Sequence, residues 1–255
     1  AVFSDLNLDG VTIKINNRKI LAGIAELIGA QDKLIDFTVA LDKLDKIGAE
    51  KVKEEMLKKG IPSDGISKLE PLFDLSGEFS EQLQSLKRIL STSNEGLQGV
   101  EELEFIASSV AAVGLQTAQL QMDVTLARGL NYYTGAIFEV AAPESVQMGS
   151  IGGGGRYDDL TGIFGLKDVS GVGISFGLDR IILCLEELGR LPETLGDAPV
   201  ALVFTLSEAD APYAYDWAYR LRKEGLRVEF YPEVAKLKKQ FDYAEKRGIP
   251  YVIIV

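Results

Sequence analysis

Residues 171–180 have the sequence GVGISFGLDR, which predicts a strand that passes directly into a helix. Arg180 falls in the first turn of that helix. Because the free N–H groups and the dipole of a helix N-terminus attract anions, an arginine at this place suits a polyphosphate. The alternative is a surface arginine paired with a nearby acid such as Asp179 or Glu186.

A glycine-rich segment precedes this stretch, since residues 152–158 have the sequence GGGGRYD. Consecutive glycines let the backbone approach a ligand closely and adopt positive φ. The segment is not a phosphate loop, which needs a following Gly-Lys-Ser/Thr, and it lacks the spacing of the dinucleotide fingerprint. The alternative to a ligand-contacting loop is a strand with a bulge or a tight corner.

A third segment, residues 127–135, has the sequence ARGLNYYTG and leads into a strand predicted over residues 136–140. Its arginine is always charged and can form two hydrogen bonds to phosphate oxygens. The alternative for the two tyrosines is packing in the core or at its edge. Together the three segments place two arginines, two glycine-rich turns and several tyrosines on strands of one sheet. This combination predicts a nucleotide site that works by positioning and electrostatics and needs no side-chain nucleophile.

The spacing of apolar residues predicts the helices and strands around these segments. Apolar residues alternate over 11–15, which predicts a strand, and a helix with one apolar face follows over about 20–28. From about residue 32 to 121 the pattern is mainly helical, and residues 122–124 are predicted as a strand. The apolar stripes of the helical stretch are interpreted as packing.

The last quarter of the sequence has the pattern of an α/β unit. Residues 191–199 are polar, contain two prolines and are predicted to link two domains. The elements predicted after this linker are strands at 200–205, 227–230 and 251–255, with helices at 211–224 and 237–247. Strands that alternate with helices indicate βαβ units with parallel pairing. Because the sequence stops within a predicted strand, we expect the natural protein to continue.

The composition excludes several classes of site and of protein. The 255 residues include one cysteine and no histidine, which excludes Ser-His-Asp triads, papain-like dyads, histidine general bases and most zinc sites in this chain. A single cysteine allows no internal disulfide and favours a reducing compartment. From the first residues we expect no signal peptide, and no apolar run approaches the ~20 residues that cross a bilayer. We therefore expect a cytoplasmic protein.

The net charge of −11 argues against nonspecific coating of nucleic acid. Residues 197–255 carry nine acidic and nine basic residues, so the negative excess lies in residues 1–196. Six of these basic residues form two clusters, Arg220, Arg222 and Lys223, and Lys236, Lys238 and Lys239. A local phosphate-contacting face and a solvated helix surface are both compatible with these clusters.

Five segments resemble the histidyl-tRNA synthetase family of class II aminoacyl-tRNA synthetases. Residues 127–140 (ARGLNYYTGAIFEV) resemble the family's first histidine-specific motif, residues 153–158 (GGGRYD) its second, and residues 171–180 class II motif 3. Residues 14–21 (KINNRKIL) and 41–48 (LDKLDKIG) are also similar to this family. The resemblance spans essentially the whole chain, and the motifs in this order are far more specific than any one of them.

The resemblance implies an α+β fold. It implies a class II catalytic domain, an antiparallel sheet with helices that carries a helical insertion, followed by a partial α/β anticodon-binding domain. Residues 1–196 would form the C-terminal part of the catalytic domain, with the insertion at about 32–121, and residues 197–255 the anticodon-binding part. In this family the insertion lies near the tRNA acceptor arm, and a purely structural role is the alternative.

The family's site roles transfer to matching positions of this sequence. Arg128 would be the catalytic arginine, which contacts the α-phosphate and the substrate carboxylate in place of a second metal ion. Arg180 would hold the γ-phosphate of a bent ATP, and Gly177 would leave room for the nucleotide. The residues implied to contact histidine are Tyr132, Tyr133, Gly153, Gly154, Tyr157 and Gly173. Asp123, on the strand that leads in, is a further candidate.

The implied activity is that of a histidine–tRNA ligase. Histidine and ATP would form histidyl-adenylate, and the histidyl group would pass to the 3′ end of tRNA(His). ATP is thus a substrate, Mg²⁺ is expected to arrive with it, and no protein metal site is expected. The implied partners are histidine, ATP, tRNA(His) and a second copy of the full-length protein, with no membrane.

Two departures from the family pattern change these expectations. Asn131 stands where the family usually has Asp. Nothing in the sequence matches motif 1, which builds the dimer interface, or motif 2, which supplies another arginine and adenine contacts. The chain therefore resembles the family's C-terminal portion, and we expect that it cannot activate histidine alone. Normal ATP–pyrophosphate exchange by the 255-residue chain would contradict this expectation.

Two rival hypotheses remain. The first is the synthetase-like, non-catalytic regulatory subunit of ATP phosphoribosyltransferase, which shares the catalytic fold but lacks the anticodon-binding domain and tends to lose synthetase motifs. The second is a generic ATP- or phosphate-binding module, which leaves the order of the motifs unexplained. Binding of histidine, of tRNA or of the phosphoribosyltransferase catalytic subunit separates the three.

Overall fold

The computed structural model describes residues 1–127, 132–192 and 198–255. The described residues fall into two compact units, Ala1–Arg190 and Leu191–Val255. The domain limits proposed from the sequence, 1–196 and 197–255, stay a prediction. Within the described residues, no helix is both long and apolar enough to cross a bilayer.

The first unit is built on a mixed sheet that is mainly antiparallel. Its strands in the described residues are β1 (Thr12–Asn17), β2 (Gln119–Met122), β3 (Ala136–Ala141), β4 (Ser150–Tyr157) and β5 (Gly171–Phe176). Their order across the sheet is β2-β1-β3-β4-β5. Strands β1 and β2 are parallel, and the other three pairs are antiparallel. The implied antiparallel sheet is thus confirmed, with one parallel pair at the β2 side.

Helices account for most of the remaining residues of this unit. They are α1 (Val2–Asp5), α2 (Arg18–Leu27), α3 (Leu34–Leu41), α4 (Leu44–Ile47), α5 (Ala49–Lys58), α6 (Ser63–Ser67), α7 (Glu70–Phe73), α8 (Phe79–Ile89), α9 (Asn94–Val113), α10 (Leu160–Ile163) and α11 (Leu178–Glu187), with a 3₁₀ turn at Gln31–Lys33. The helical stretch predicted from the sequence is confirmed, but the strand predicted at 122–124 is wrong by about three residues, since β2 ends at Met122.

The helices bury one hydrophobic core against β1. Fully buried side chains include Ile24 of α2, Phe37 of α3, Met56 of α5 and Leu86 of α8. These are the apolar stripes of the sequence pattern, and each such side chain contributes about 1.5–3 kcal/mol by leaving water. The core therefore fixes α2, α3 and α9 relative to the sheet.

Helices α2 and α9 pack with their backbones in contact. A Cβ atom at Gly23 would lie 2.6 Å from Cα of Gly96, so no larger residue fits at this crossing. The close packing brings Asn17, at the N-cap of α2, next to Glu102 of α9. The Asn17 amide Nδ2 donates to Oε2 of Glu102 at 2.6 Å, while the Asn17 side chain also accepts from the N–H of Lys19.

The second unit has the βαβ pattern that the sequence predicts. Its described elements are β6 (Ala201–Val203), α12 (Ala211–Lys223), β7 (Val228–Phe230), α13 (Leu237–Lys246) and β8 (Tyr251–Ile253). The strand order is β7-β6-β8, and both described pairs are parallel. The predicted α/β architecture of this unit is therefore confirmed.

A candidate active site

A cavity of about 320 Å³ lies over the glycine-rich strand β4 in the first unit. It is bounded by β3, β4 and β5, by the start of α11 and by two residues from the segment between β2 and β3. The described residues that line it are Leu126, Tyr133, Phe138, Glu139, Ser150, Ile151, Gly152, Gly153, Gly154, Ser175, Gly177 and Arg180. It has the size of a small-molecule site.

The glycines of β4 form the floor of this cavity. Gly153 pairs with Glu139 of β3 and with Ser175 of β5, in the middle of a regular ladder. A Cβ atom at Gly154 would lie 2.0 Å from the carbonyl oxygen of Gly173 and 2.8 Å from the ring of Phe138. The segment is therefore a strand, and the register of the β3–β4 pair shifts between Val140 and Ala141, where it skips Ile151 of β4.

We expect Gly154→Ala to lower the melting temperature of the full-length gene product by about 5–10 °C. The methyl group has no space beside the Gly173 carbonyl, and overpacking of this kind costs about 1–3 kcal/mol or more. Gly162→Ala is the matched control, because no atom lies within 4 Å of a Cβ atom at Gly162. Thermal unfolding followed by circular dichroism measures both, and equal melting temperatures for the two variants would contradict the prediction.

Three tyrosines predicted for the site lie together. The rings of Tyr132 and Tyr133 are 4.6 Å apart, and those of Tyr132 and Tyr157 are 6.2 Å apart, both edge to face. Tyr133 lines the cavity, and the Tyr157 ring lies against Gly173 of β5, 3.3 Å from the position of a Cβ atom there. The cluster offers aromatic edges and phenol groups beside the glycine floor.

The phenol of Tyr133 stays protonated at neutral pH. Burial raises its pKa to about 12, and a hydrogen bond with Tyr132 and charge repulsion from the Tyr132 and Tyr157 phenols add to the shift. A neutral phenol donates one hydrogen bond and accepts others, as an uncharged polar ligand such as an imidazole requires.

Arg180 places a cation at one end of the cavity. It lies in the first turn of α11, and its Nη1 donates to the carbonyl oxygen of Ser150 at 2.5 Å. Within the described ranges it forms no ion pair, neither with Asp179 nor with Glu186, the acids considered from the sequence. Its remaining N–H groups are available for an anion.

The segment between β2 and β3, which leads into the site, is fixed by contacts with side chains of β1. The buried Asn16 of β1 donates from Nδ2 to the carbonyl oxygens of Val124 (3.1 Å) and Leu126 (3.0 Å). Asp123 pairs with Lys14 at 2.9 Å. Burial raises the pKa of the Asp123 carboxyl, but hydrogen bonds from Thr125 and the ion pair with Lys14 outweigh it, so the net pKa is lowered. These contacts hold Asp123 against β1 and Thr125, and its role as a site residue stays a prediction.

The structure brings together five of the residues expected at the site. These cavity-lining residues are Tyr133, Gly153, Gly154, Gly177 and Arg180. Tyr132, Tyr157 and Gly173 lie beside them, in the tyrosine cluster and on β5. Arg128 and Asn131 lie outside the described residues.

Sequence reasoning missed Glu139 and Ser175 as cavity-lining residues. Glu139 interrupts the apolar strand AIFEV, and this single acid was the available signal. Ser175 lies opposite Gly153 only because of the strand register. Among the described residues, no group of three or more Asp, Glu, Cys or His side chains is arranged to hold a metal ion.

Comparisons with known proteins agree with the geometry. Residues 1–181 match the family model of histidyl-tRNA synthetase, and residues 200–255 match that of an anticodon binding domain. The histidine–tRNA ligase of Flavobacterium johnsoniae is 63% identical over 254 residues, which cover 100% of this chain and 54% of that protein. The chain thus spans about half the length of the curated relatives it matches.

Two solved structures share the fold. Histidyl-tRNA synthetase from Nostoc sp. PCC 7120 superimposes with a TM-score of 0.71 at 33% sequence identity, over 98% of this chain and 59% of that one. A Bacillus halodurans protein, described as an ATP phosphoribosyltransferase regulatory subunit/histidyl-tRNA synthetase, superimposes with a TM-score of 0.69 at 17% identity, over 99% of this chain and 62% of that one. The second likeness concerns the fold alone.

Proposed function

Since the chain belongs to the histidyl-tRNA synthetase family, we propose that the protein to which it contributes is a histidine–tRNA ligase, which joins histidine to tRNA(His) with ATP. One observation carries this proposal. The Arg180 guanidinium, the glycine floor of β4 and the Tyr133 ring all border the same cavity. A cation, exposed backbone and an aromatic wall are what a triphosphate and an aromatic amino acid require in one site.

The proposed reaction has two steps. A carboxylate oxygen of histidine attacks the α-phosphorus of ATP, a new P–O bond forms, and the bond to the departing pyrophosphate breaks. In the second step a ribose hydroxyl at the 3′ end of tRNA attacks the carbonyl carbon of the adenylate. The ester bond forms, AMP leaves as its C–O bond breaks, and the hydroxyl proton passes to the departing phosphate.

We assign a role to each residue from its position at the cavity or in the sequence and from the family resemblance. Arg180 holds the γ-phosphate, and Gly177 leaves room beside it. Arg128 meets the charge that develops at the α-phosphate. The histidine side chain lies against the cluster of Tyr132, Tyr133 and Tyr157, and the positions that leave room for its main chain are Gly153, Gly154 and Gly173. Positioning and fixed positive charge supply the catalysis, and no protein nucleophile is required.

We propose further that Mg²⁺ enters as the ATP complex and that the full-length protein works as a cytoplasmic homodimer. Residues 197–255 are proposed to be part of an anticodon-binding domain. Their basic clusters are partly engaged within the chain, since Arg220 pairs with Asp216 and Lys239 with Glu233. Contact with tRNA there would use the other basic residues of the clusters.

Histidine-dependent ATP–pyrophosphate exchange by the full-length gene product tests the proposal. We expect exchange with histidine and none with other amino acids, and charging of tRNA(His) after tRNA is added. The regulatory-subunit hypothesis predicts no charging and co-purification with the phosphoribosyltransferase catalytic subunit instead. Absence of both exchange and histidine binding would overturn the ligase assignment.

A further inference from the structure

Two segments that carry site tyrosines are joined at the carboxyl group of Asp158. Asp158 directly follows Tyr157, the last residue of β4. Thr134 directly follows Tyr133, ahead of β3. The Thr134 hydroxyl donates to Oδ2 of Asp158 at 2.6 Å, across 24 positions of sequence. One hydrogen bond therefore connects the residues that follow two members of the tyrosine cluster.

The other oxygen of this carboxylate is held by Arg156. Arg156 donates from Nε to Oδ1 of Asp158 at 3.1 Å and from Nη2 to the hydroxyl of Ser170, also at 3.1 Å. Ser170 directly precedes Gly171, the first residue of β5. A Cβ atom at Gly171 would lie 2.2 Å from the Tyr157 ring, so this ring packs on the start of β5. Through Arg156, the carboxylate is thus linked to a third segment of the site.

The backbone beside this carboxylate lies beyond the regular sheet. The pairing of β3 with β4 ends at Ile137 and Gly155, and the N–H of Thr134 donates to the Arg156 carbonyl at 2.9 Å past that end. A Cβ atom at Gly135 would lie 2.9 Å from Cδ of Arg156, so the arginine side chain packs directly on the main chain. The segment that carries Tyr132 and Tyr133 is therefore attached to β4 by these few contacts.

The bond between Thr134 and Asp158 is the strongest of these side-chain contacts. The Thr134 hydroxyl lowers the pKa of the Asp158 carboxyl, and hydrogen bonds from Ser170 and Arg156 lower it further, against the opposing effect of partial burial. The acceptor is therefore ionised at neutral pH, and hydrogen bonds to ionised acceptors are stronger than those between neutral groups. The ion pair of Arg156 with Asp158 is more exposed, and pairs of that kind contribute little.

Asp158 is not among the described residues that line the candidate active site, so it can act on a substrate only through its neighbours. We propose that Asp158 is a positioning residue for the amino acid: its carboxylate holds the segments of Tyr133 and Tyr157 together, so that the tyrosine cluster keeps the shape that receives histidine. The inference rests on the proposed function, which places the histidine side chain at this cluster. Because the γ-phosphate is assigned to Arg180, loss of the Asp158 contact acts on histidine and not on ATP.

The experiment removes this hydrogen bond from either side in the full-length gene product. Thr134→Val replaces the hydroxyl by a methyl group of similar size, whereas Thr134→Ser keeps the hydroxyl. Asp158→Asn keeps the shape and removes the charge. Asp159→Asn is the matched control, since Asp159 is the next residue, is exposed and does not cap α10 with its side chain. ATP–pyrophosphate exchange, with histidine and ATP varied separately, gives both KM values, and thermal unfolding reports the stability of each variant.

For Thr134→Val and for Asp158→Asn we expect the KM for histidine to rise by about 10–100-fold, the range of a hydrogen bond to a charged group. The KM for ATP should stay close to that of the wild type. Thr134→Ser should retain most of the histidine affinity, and Asp159→Asn all of it. Because both substitutions break one contact, the loss in the double variant should be far smaller than the product of the two single losses.

Equal increases in both KM values would overturn the proposal, and so would a lower melting temperature with unchanged KM values. Either result would give Asp158 a structural role alone. Equal impairment of Thr134→Ser and Thr134→Val would also overturn it, because the hydroxyl would then not be the group that matters. Failure of the proposed function is distinguishable without any variant, since the wild type itself would then show no histidine-dependent exchange, and this inference would fall with it.

Discussion

Arg128→Ala in the full-length gene product is expected to slow histidyl-adenylate formation by about 10²–10³-fold, while histidine affinity stays nearly unchanged. Arg128 itself lies outside the described residues, but Leu126 and Tyr133, which both line the cavity, flank it in the sequence. The chain has no histidine, so arginine or lysine must supply any side-chain cation, and a guanidinium can pair with phosphate oxygens at two places. Because that charge is largest in the transition state, the loss falls on the rate and not on binding.

Rapid-quench measurement of adenylate formation in one turnover checks this prediction, with histidine binding measured by calorimetry on the same protein. Arg190→Ala is the control, since Arg190 is an exposed arginine of the same unit that contacts Asp9 at 3.4 Å. An activation rate equal to that of the wild type would remove Arg128 from the mechanism. A parallel loss of rate and of histidine affinity would assign it to ground-state binding.

Arg180→Ala is expected to raise the KM for ATP by about 10–100-fold, with a much smaller change in the KM for histidine. The guanidinium lies at one end of the cavity, is anchored on the Ser150 carbonyl and has no carboxylate partner among the described residues. A γ-phosphate would receive charge-assisted hydrogen bonds from it, whereas histidine would lie beside the tyrosines. The two substrates should therefore respond differently to the same substitution.

Steady-state exchange with ATP and histidine varied separately distinguishes these effects. Arg180→Lys keeps the charge but loses the planar pair of donors, so we expect it to recover only part of the ATP affinity. Equal increases in both KM values would show that Arg180 acts on the shape of the site. An unchanged KM for ATP would contradict its assignment to the γ-phosphate.

Local patterns predicted those elements whose periodicity the fold preserves. Residues 136–140 were predicted as a strand from their apolar, β-favouring residues and lie within β3. Residues 171–180 were predicted as a strand that passes directly into a helix, and β5 ends at Phe176 while α11 begins at Leu178. These segments carry their own signals, so no distant contact was needed to assign them.

The sequence could not predict contacts that distant segments make. Strand β2 is only four residues long, has the sequence QLQM and pairs with β1 more than 100 residues earlier. Neither its bounds nor its parallel direction therefore had a strong local signal. Val172 and Ile174 have the alternation of a half-buried strand, yet they are 71% and 56% exposed in this chain. Burial of a strand face depends on what packs against it, which alternation does not specify.

The same limit applies to the site. The glycines, the tyrosines and Arg180 were proposed because their residue types suit a ligand and because their segments resemble motifs of the family. Glu139 was not, since it is an ordinary charged residue until the sheet places it at a cavity. Unpaired charge beside an enclosed space is a property of the fold, and only the three-dimensional arrangement shows it.

A crystal structure of the full-length gene product with histidine and α,β-methylene-ATP tests the central claim most directly. We expect the γ-phosphate within hydrogen-bond distance of Arg180 and the triphosphate along the glycine floor of β4. We expect the imidazole of histidine against Tyr133 and its two neighbouring tyrosines. Electron density for either ligand outside this cavity, with Arg180 contacting only protein, would contradict it.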